Sequence, residues 1–137
     1  MALPSVGGGS QLNDGNLNEL KMSVASAPAT ATDTATLTVD QLINGIIIGT
    51  PTATATYTLP LAATLDNTLT NSKAGTTFDF RVITAAAYGI TIATNTGWTI
   101  GSSGTQGLMT IAATAGTVRS FRARKSGDGA WALYAIS

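Results

Sequence analysis

The stretch Phe78-Asp79-Phe80-Arg81-Val82-Ile83 sets Phe78, Phe80 and Val82 against Asp79 and Arg81 in alternation. Successive side chains of a strand point to opposite faces, so this segment reads as a strand with one face in a core and one toward solvent. The same texture continues downstream. Ile90 and Ile92 alternate with Thr91 and Ala93, and Trp98 and Ile100 follow the turn Asn95-Thr96-Gly97. Leu108 to Ala112 and Val118 to Ala123 are further β-prone runs, and Ser126-Gly127-Asp128-Gly129 is a hairpin turn leading into Trp131 to Ile136. Upstream, Ala35 to Val39, Ile46-Ile47-Ile48 after the Asn44-Gly45 turn pair, and Thr52 to Leu59 read as extended segments. One helix is expected over about residues 60–71. Pro60 suits a first helical position, Leu61, Leu65 and Leu69 stack at four-residue spacing, and Asn71 and Gly75 offer a stop. Roughly seven to nine short strands with one short helix give an all-β fold, a small β-sandwich or jelly-roll-like body.

Composition separates this body from what precedes it. Residues 1–33 hold the tract Gly7-Gly8-Gly9-Ser10 and an Ala/Thr/Ser/Pro run from Ala25 to Asp33, and read as an extended, low-complexity N-terminal arm. The body is expected over residues 34–137. Leu12, Leu17, Leu20 and Met22 are scattered through the arm without periodicity, so the arm cannot order itself alone. The opening residues have neither a basic region nor an apolar core and do not read as a signal peptide. No apolar run approaches the roughly 20 residues that span a bilayer. The expected place of synthesis is a cytoplasm.

Of the 137 residues, 24 are Thr and 22 Ala, none is Cys or His, and 10% are charged. Thiolate nucleophiles, imidazole bases, zinc-finger sites and disulfides are therefore excluded. Seven basic residues balance seven acidic ones, so no overall field favours nucleic acid or a membrane surface. Sparse charge on a Thr-, Ser- and Ala-rich surface suits a chain that packs against other protein.

With no Cys or His, only carboxylates, lysines and hydroxyls could do chemistry. Asp40, Asp66, Asp79 and Asp128 are expected in a turn, a helix, a strand and a hairpin, with no motif that pairs them for acid/base work. A Ser–Lys nucleophile would need Lys73 or Lys125 buried beside a serine, yet Ser72-Lys73 and Lys125-Ser126 sit near polar turns. Neither Gly7-Gly8-Gly9 nor Gly101-Ser102-Ser103-Gly104 fits a phosphate-binding pattern, and the turn at Asp128 lacks the other ligands of a calcium loop. No cofactor, metal or catalytic residue is expected, and the chain reads as a non-enzyme. Arg119, Arg122, Arg124 and Lys125 are four of the seven basic residues. On a strand Arg122 and Arg124 share one face while Arg119 and Lys125 share that of Phe121. This split argues against a flat nucleic-acid platform. Edge protection, salt bridging and contact with an acidic protein surface stay open for the cluster.

A set of short strings has a familiar order: Gly15 to Glu19, Ala29 to Thr32, Leu37 to Leu42, Gly45 to Pro51, Tyr57 to Pro60, Phe78 to Phe80, Gly97 to Thr99 and Phe121 to Lys125. Together they resemble the head decoration, or cement, proteins of tailed bacteriophages. The loop at Thr105-Gln106-Gly107 departs from the shorter pattern expected there. The resemblance implies a symmetric homotrimer on the outer capsid surface of a virion, cementing the expanded head lattice. It also implies that the arm contacts the major capsid protein, with Leu12, Asn13, Asp14, Asn16, Leu17, Asn18, Glu19 and Leu20 as the contact residues.

A rival reading is a fibre or receptor-binding module for a host-surface glycan, with Tyr88, Trp98 and Trp131 as stacking platforms. Burial of these rings in the core is the simpler expectation.

Overall fold

The computed structural model describes residues 24–101 and 109–137. Two sheets face each other, as the alternating strands require. One has six strands in the order β1-β3-β5-β9-β10-β7, the other four in the order β2-β4-β6-β8. The strands are β1 (Ala29–Ala31), β2 (Ala35–Thr36), β3 (Ile46–Gly49), β4 (Ala55–Thr58), β5 (Thr77–Thr84), β6 (Ile90–Ala93), β7 (Trp98–Ile100), β8 (Thr110–Ile111), β9 (Val118–Gly127) and β10 (Ala130–Ala135). The expected all-β, two-layer body is what forms.

Its wiring was not visible in the local pattern. From β1 to β6 the chain alternates between the layers, so that β1, β3 and β5 pair in parallel in one sheet and β2, β4 and β6 in the other. Strand β9 then pairs antiparallel with β5, and the hairpin brings β10 back along β9. Finally β7 closes the far edge, parallel to β10. Between the sheets lie Phe80, Val82, Phe121, Leu133 and Trp131 from the larger layer and Tyr57, Ile90, Ile92 and Ile111 from the smaller, all essentially inaccessible. Rings of Phe80 and Phe121 stack with centroids 5.3 Å apart. Burying a large apolar side chain contributes about 1.5–3 kcal/mol.

Three local expectations are corrected. The segment Ala35 to Val39 is strand only at Ala35–Thr36; helix α1 (Val39–Asn44) follows. Thr38 and Gln41 form a capping box: the Thr38 hydroxyl accepts from the Gln41 N–H (3.2 Å) and Gln41 Oε1 accepts from the Thr38 N–H (2.8 Å). That satisfies two donors a helix start leaves unpaired, and Asp40 adds a favourable charge in the first turn. Gly45 is therefore a left-handed helix cap, φ 95°, whose N–H donates to the Leu42 carbonyl, and the Asn44-Gly45 pair ends a helix rather than forming a separate tight turn.

The second helix, α2 (Ala62–Thr68), is shorter than residues 60–71 and begins after Pro60, whose carbonyl accepts the Trp98 indole N–H at 2.8 Å. Its leucine stripe divides. Leu65 is buried with Ala62, Leu69 packs partly against the core, and Leu61 is exposed.

The third correction concerns the arm boundary. Ala29–Ala31, placed in the arm by composition, pairs with Ile47–Gly49 as an edge of the larger sheet. Gln41 Nε2 donates to the Thr30 carbonyl and Asn44 Nδ2 to the Ala27 carbonyl, each at 2.8 Å, so α1 covers carbonyls that an open edge would expose.

Candidate functional site

Strand pairing brings together a surface that no single segment announces. Along the outer face of the larger sheet, register aligns Ile48 with Ile83 and Ile83 with Val118 in one row, and Ile46, Arg81 and Ser120 in the next. Ile136 joins that second row, its N–H donating to the Ser120 carbonyl at 2.9 Å. Asp79, Arg122 and Tyr134 form the third row, and Thr77, Arg124 and Ala132 the fourth. Ile46, Val118 and Ile136 are 37%, 49% and 45% exposed. One end of the face is thus apolar and the other carries arginines.

The opposite outer face is different in kind. Thr56, Thr91 and Thr110 align across β4, β6 and β8, and Thr36 aligns with Thr58 and Ala93. None of the residues in its strands is charged. Among the described residues, the strand-borne charge that points outward therefore lies on the larger sheet.

The structure distributes the basic cluster along β9, in the centre of that sheet, so protection of an edge is not its role. Arg122 and Arg124 point outward, as alternation implies. Arg122 makes a two-pronged ion pair with Asp79, Nε to Oδ1 at 2.8 Å and the second guanidinium nitrogen to Oδ2 at 3.0 Å. Those bonds outweigh the partial burial of Asp79 and, with the charges of Arg122 and Arg81, hold its carboxyl below the usual range. Arg119 lies at the sheet end, donating to the carbonyls of Thr110 and Ser137, both at 3.0 Å. Among the described residues, Arg81 and Arg124 make no salt bridge.

Lys125 turns inward and is 4% exposed. Its ammonium lies 3.1 Å from Asp66 Oδ1, 3.1 Å from Ser72 Oγ and 3.8 Å from Asp128 Oδ1. A lysine is thus buried beside a serine, the geometry sought above. The ion pair with Asp66 nevertheless occupies the ammonium, and an ammonium has no lone pair with which to take the Ser72 proton. Asp66 also accepts from the Gly129 N–H and from the Trp131 indole at 2.8 Å. Burial works against its ionisation, but those two bonds, the Lys125 hydrogen bond and the Lys125 charge prevail and hold the carboxyl below its ordinary value. The cluster ties α2 to the final hairpin.

Of the candidate stacking rings, Trp131 is fully buried and Trp98 is 7% exposed, against 43% for Tyr88. The two tryptophans belong to the core. Among the described residues no group of three or more acidic side chains could hold a metal ion, and no helix is long and apolar enough to cross a membrane. The expected arm contacts, Leu12, Asn13, Asp14, Asn16, Leu17, Asn18, Glu19 and Leu20, lie outside the described residues.

Sequence reasoning missed the outer face as a unit. The signal that could have found it is Ile46-Ile47-Ile48, a continuous apolar run of the kind that marks a parallel strand covered on both faces. No known family, curated protein or solved structure matches the chain.

Proposed function

We propose that this chain is a structural virion protein: a capsid decoration protein that binds the outer surface of a phage head as a homotrimer and stabilises the expanded lattice. The observation that carries this reading is the outer face of the larger sheet, which no described residue covers and where Ile46, Val118 and Ile136 stand exposed around Arg81, with Arg124 at the far end. Exposed apolar patches bordered by polar groups are contact surfaces for other protein. Support also comes from the resemblance of the short strings to those of head decoration proteins and from a body whose buried ion pair serves internal ties.

The function on this reading is mechanical. A protein that binds only the expanded lattice stabilises it by mass action, and many copies around a shell multiply the effect. The major capsid protein is the partner, and Leu12, Asn13, Asp14, Asn16, Leu17, Asn18, Glu19 and Leu20 are assigned to that contact. The test deletes residues 1–23, which spares β1. The truncated chain should fold and fail to sediment with expanded heads; full occupancy without those residues would remove the arm assignment.

The glycan-binding alternative has lost two of its three aromatic platforms to the core.

A further inference from the structure

We propose that the outer face of the larger sheet is a self-association surface, and that it takes the α1 flank of a second copy in a head-to-tail contact. This contact between copies rests on the capsid reading only for the number of copies in the ring.

Three observations carry it. First, β3 and β5 are parallel, and parallel sheets are ordinarily covered on both faces. Here Ile47 and Val82 point into the core while Ile46, Ile48 and Ile83 point out to a face that nothing in the chain's described residues covers. The face spans four strands about 4.8 Å apart and four rows about 6.8 Å apart, on the order of 500 Å² in projection, the scale of one side of a modest interface.

Second, its charge favours a different patch as partner. Arg81, Arg122 and Arg124 share the face with one acid, Asp79, so the face is net positive, and a two-fold pairing that stacks each row on itself would press the arginines together. The complementary partner surface is apolar with negative charge.

Third, the same chain carries such a surface. Val24, Ala25, Ser26, Asp40, Ile43 and Asn44 line a cleft of about 530 Å³ on the flank of α1. Ile43 is 47% exposed there, and Asp40 stands exposed in the first turn of the helix. One copy thus presents an apolar and basic face, and another an apolar and acidic flank. Two different patches in contact form a heterologous interface, which generates a ring where its rotation closes.

The test is the solution mass by light scattering of the full chain and of two variants, Val118→Asp on the face and Ile43→Asp on the flank. Both side chains are exposed, so the variants should keep the wild-type circular dichroism spectrum; if either does not, Ile136→Asp and Asp40→Lys replace them. The wild type should run as a multiple of the 13.8 kDa chain. Each variant alone should fall to the chain mass, because each lacks one half of the contact. Mixed in equal amounts they should form a two-chain species, since the intact flank of one meets the intact face of the other. Thr91→Asp, on the opposite outer face, should keep the wild-type mass. A monomeric wild type, a variant that stays assembled, or a mixture that stays at the chain mass overturns the proposal. A wild-type assembly that ignores heads removes the capsid reading and leaves this contact; a monomer that binds heads does the reverse.

Discussion

The Lys125 ammonium lies 3.1 Å from the Asp66 carboxylate, with 5% and 17% of the two side chains exposed. This pair joins α2 to β9, and Asp66 extends the tie to β10 through the Trp131 indole. Removing the carboxylate leaves the buried ammonium with Ser72 and, at 3.8 Å, the exposed Asp128, and takes the acceptor from the Trp131 indole N–H. Asp66→Ala should therefore cost about 2–4 kcal/mol, lowering Tm by on the order of 10–20 °C. Lys125→Met should cost less, because the methionine refills the stem volume and Asp66 keeps two donors. Denaturant unfolding of both variants checks the order. A loss under about 0.5 kcal/mol for Asp66→Ala, typical of a plain surface change, would contradict this role.

Stability should depend on pH only toward the extremes. The carboxyls of Asp66, Asp79 and Asp33 are all held below their ordinary range, Asp33 by the backbone N–H and hydroxyl of Thr52. A group with a depressed folded-state value gives stability that is present above the unfolded value, about 3.9, and is lost as pH falls through the folded one. With no histidine in the chain, Tm should be nearly flat from about pH 5 to 8 and fall below about pH 4. Burial, followed by the Asp33 charge, raises the Tyr57 phenol, so stability should fall again above about pH 10 as the unfolded chain ionises first. Thermal melts across pH test both limbs, and a slope between pH 5 and 8 would contradict the assignment.

Gly97 should tolerate no side chain. Its φ is 90°, and an added Cβ would meet Ala62 Cβ and the Gly129 carbonyl, each at 2.5 Å. Strain and overpacking each cost about 1–3 kcal/mol. Gly97→Ala should be well below wild type in chemical unfolding, whereas Gly127→Ala, which meets nothing within 4 Å, should cost far less.

Gln41 serves the helix start and the sheet edge at once. Gln41→Ala removes the bond from the Thr38 N–H and the bond to the Thr30 carbonyl. The expected loss is about 1–2 kcal/mol, with faster amide exchange in α1 and at Thr50, whose N–H pairs with Ala31. Unchanged exchange at those amides would show that α1 does not hold the edge.

The β-body was legible because Phe80, Val82, Ile90, Ile92 and Phe121 obey a period of two, and a buried face enforces that period. Helix α1 was missed because Thr38 and Val39 have strand-like propensity, while the signal that wins is the three-residue Thr38–Gln41 spacing of a capping box. The larger sheet's outer face was legible only in pieces. Alternation placed Asp79 with Arg81, and Arg122 with Arg124, but Ile83 meets Val118 only through pairing of segments far apart in the chain. The Lys125–Asp66 contact has the same origin: local polarity near Ser126 and Gly127 suggested an exposed turn, and long-range packing turned the lysine inward.

The most direct test of the proposed role is co-sedimentation of the purified full chain with empty phage heads before and after expansion. Saturable binding to expanded heads, absent on unexpanded ones, and a raised temperature of head disruption are the predicted results. A chain that stays in the supernatant with expanded heads at concentrations that saturate its self-association would contradict the proposal.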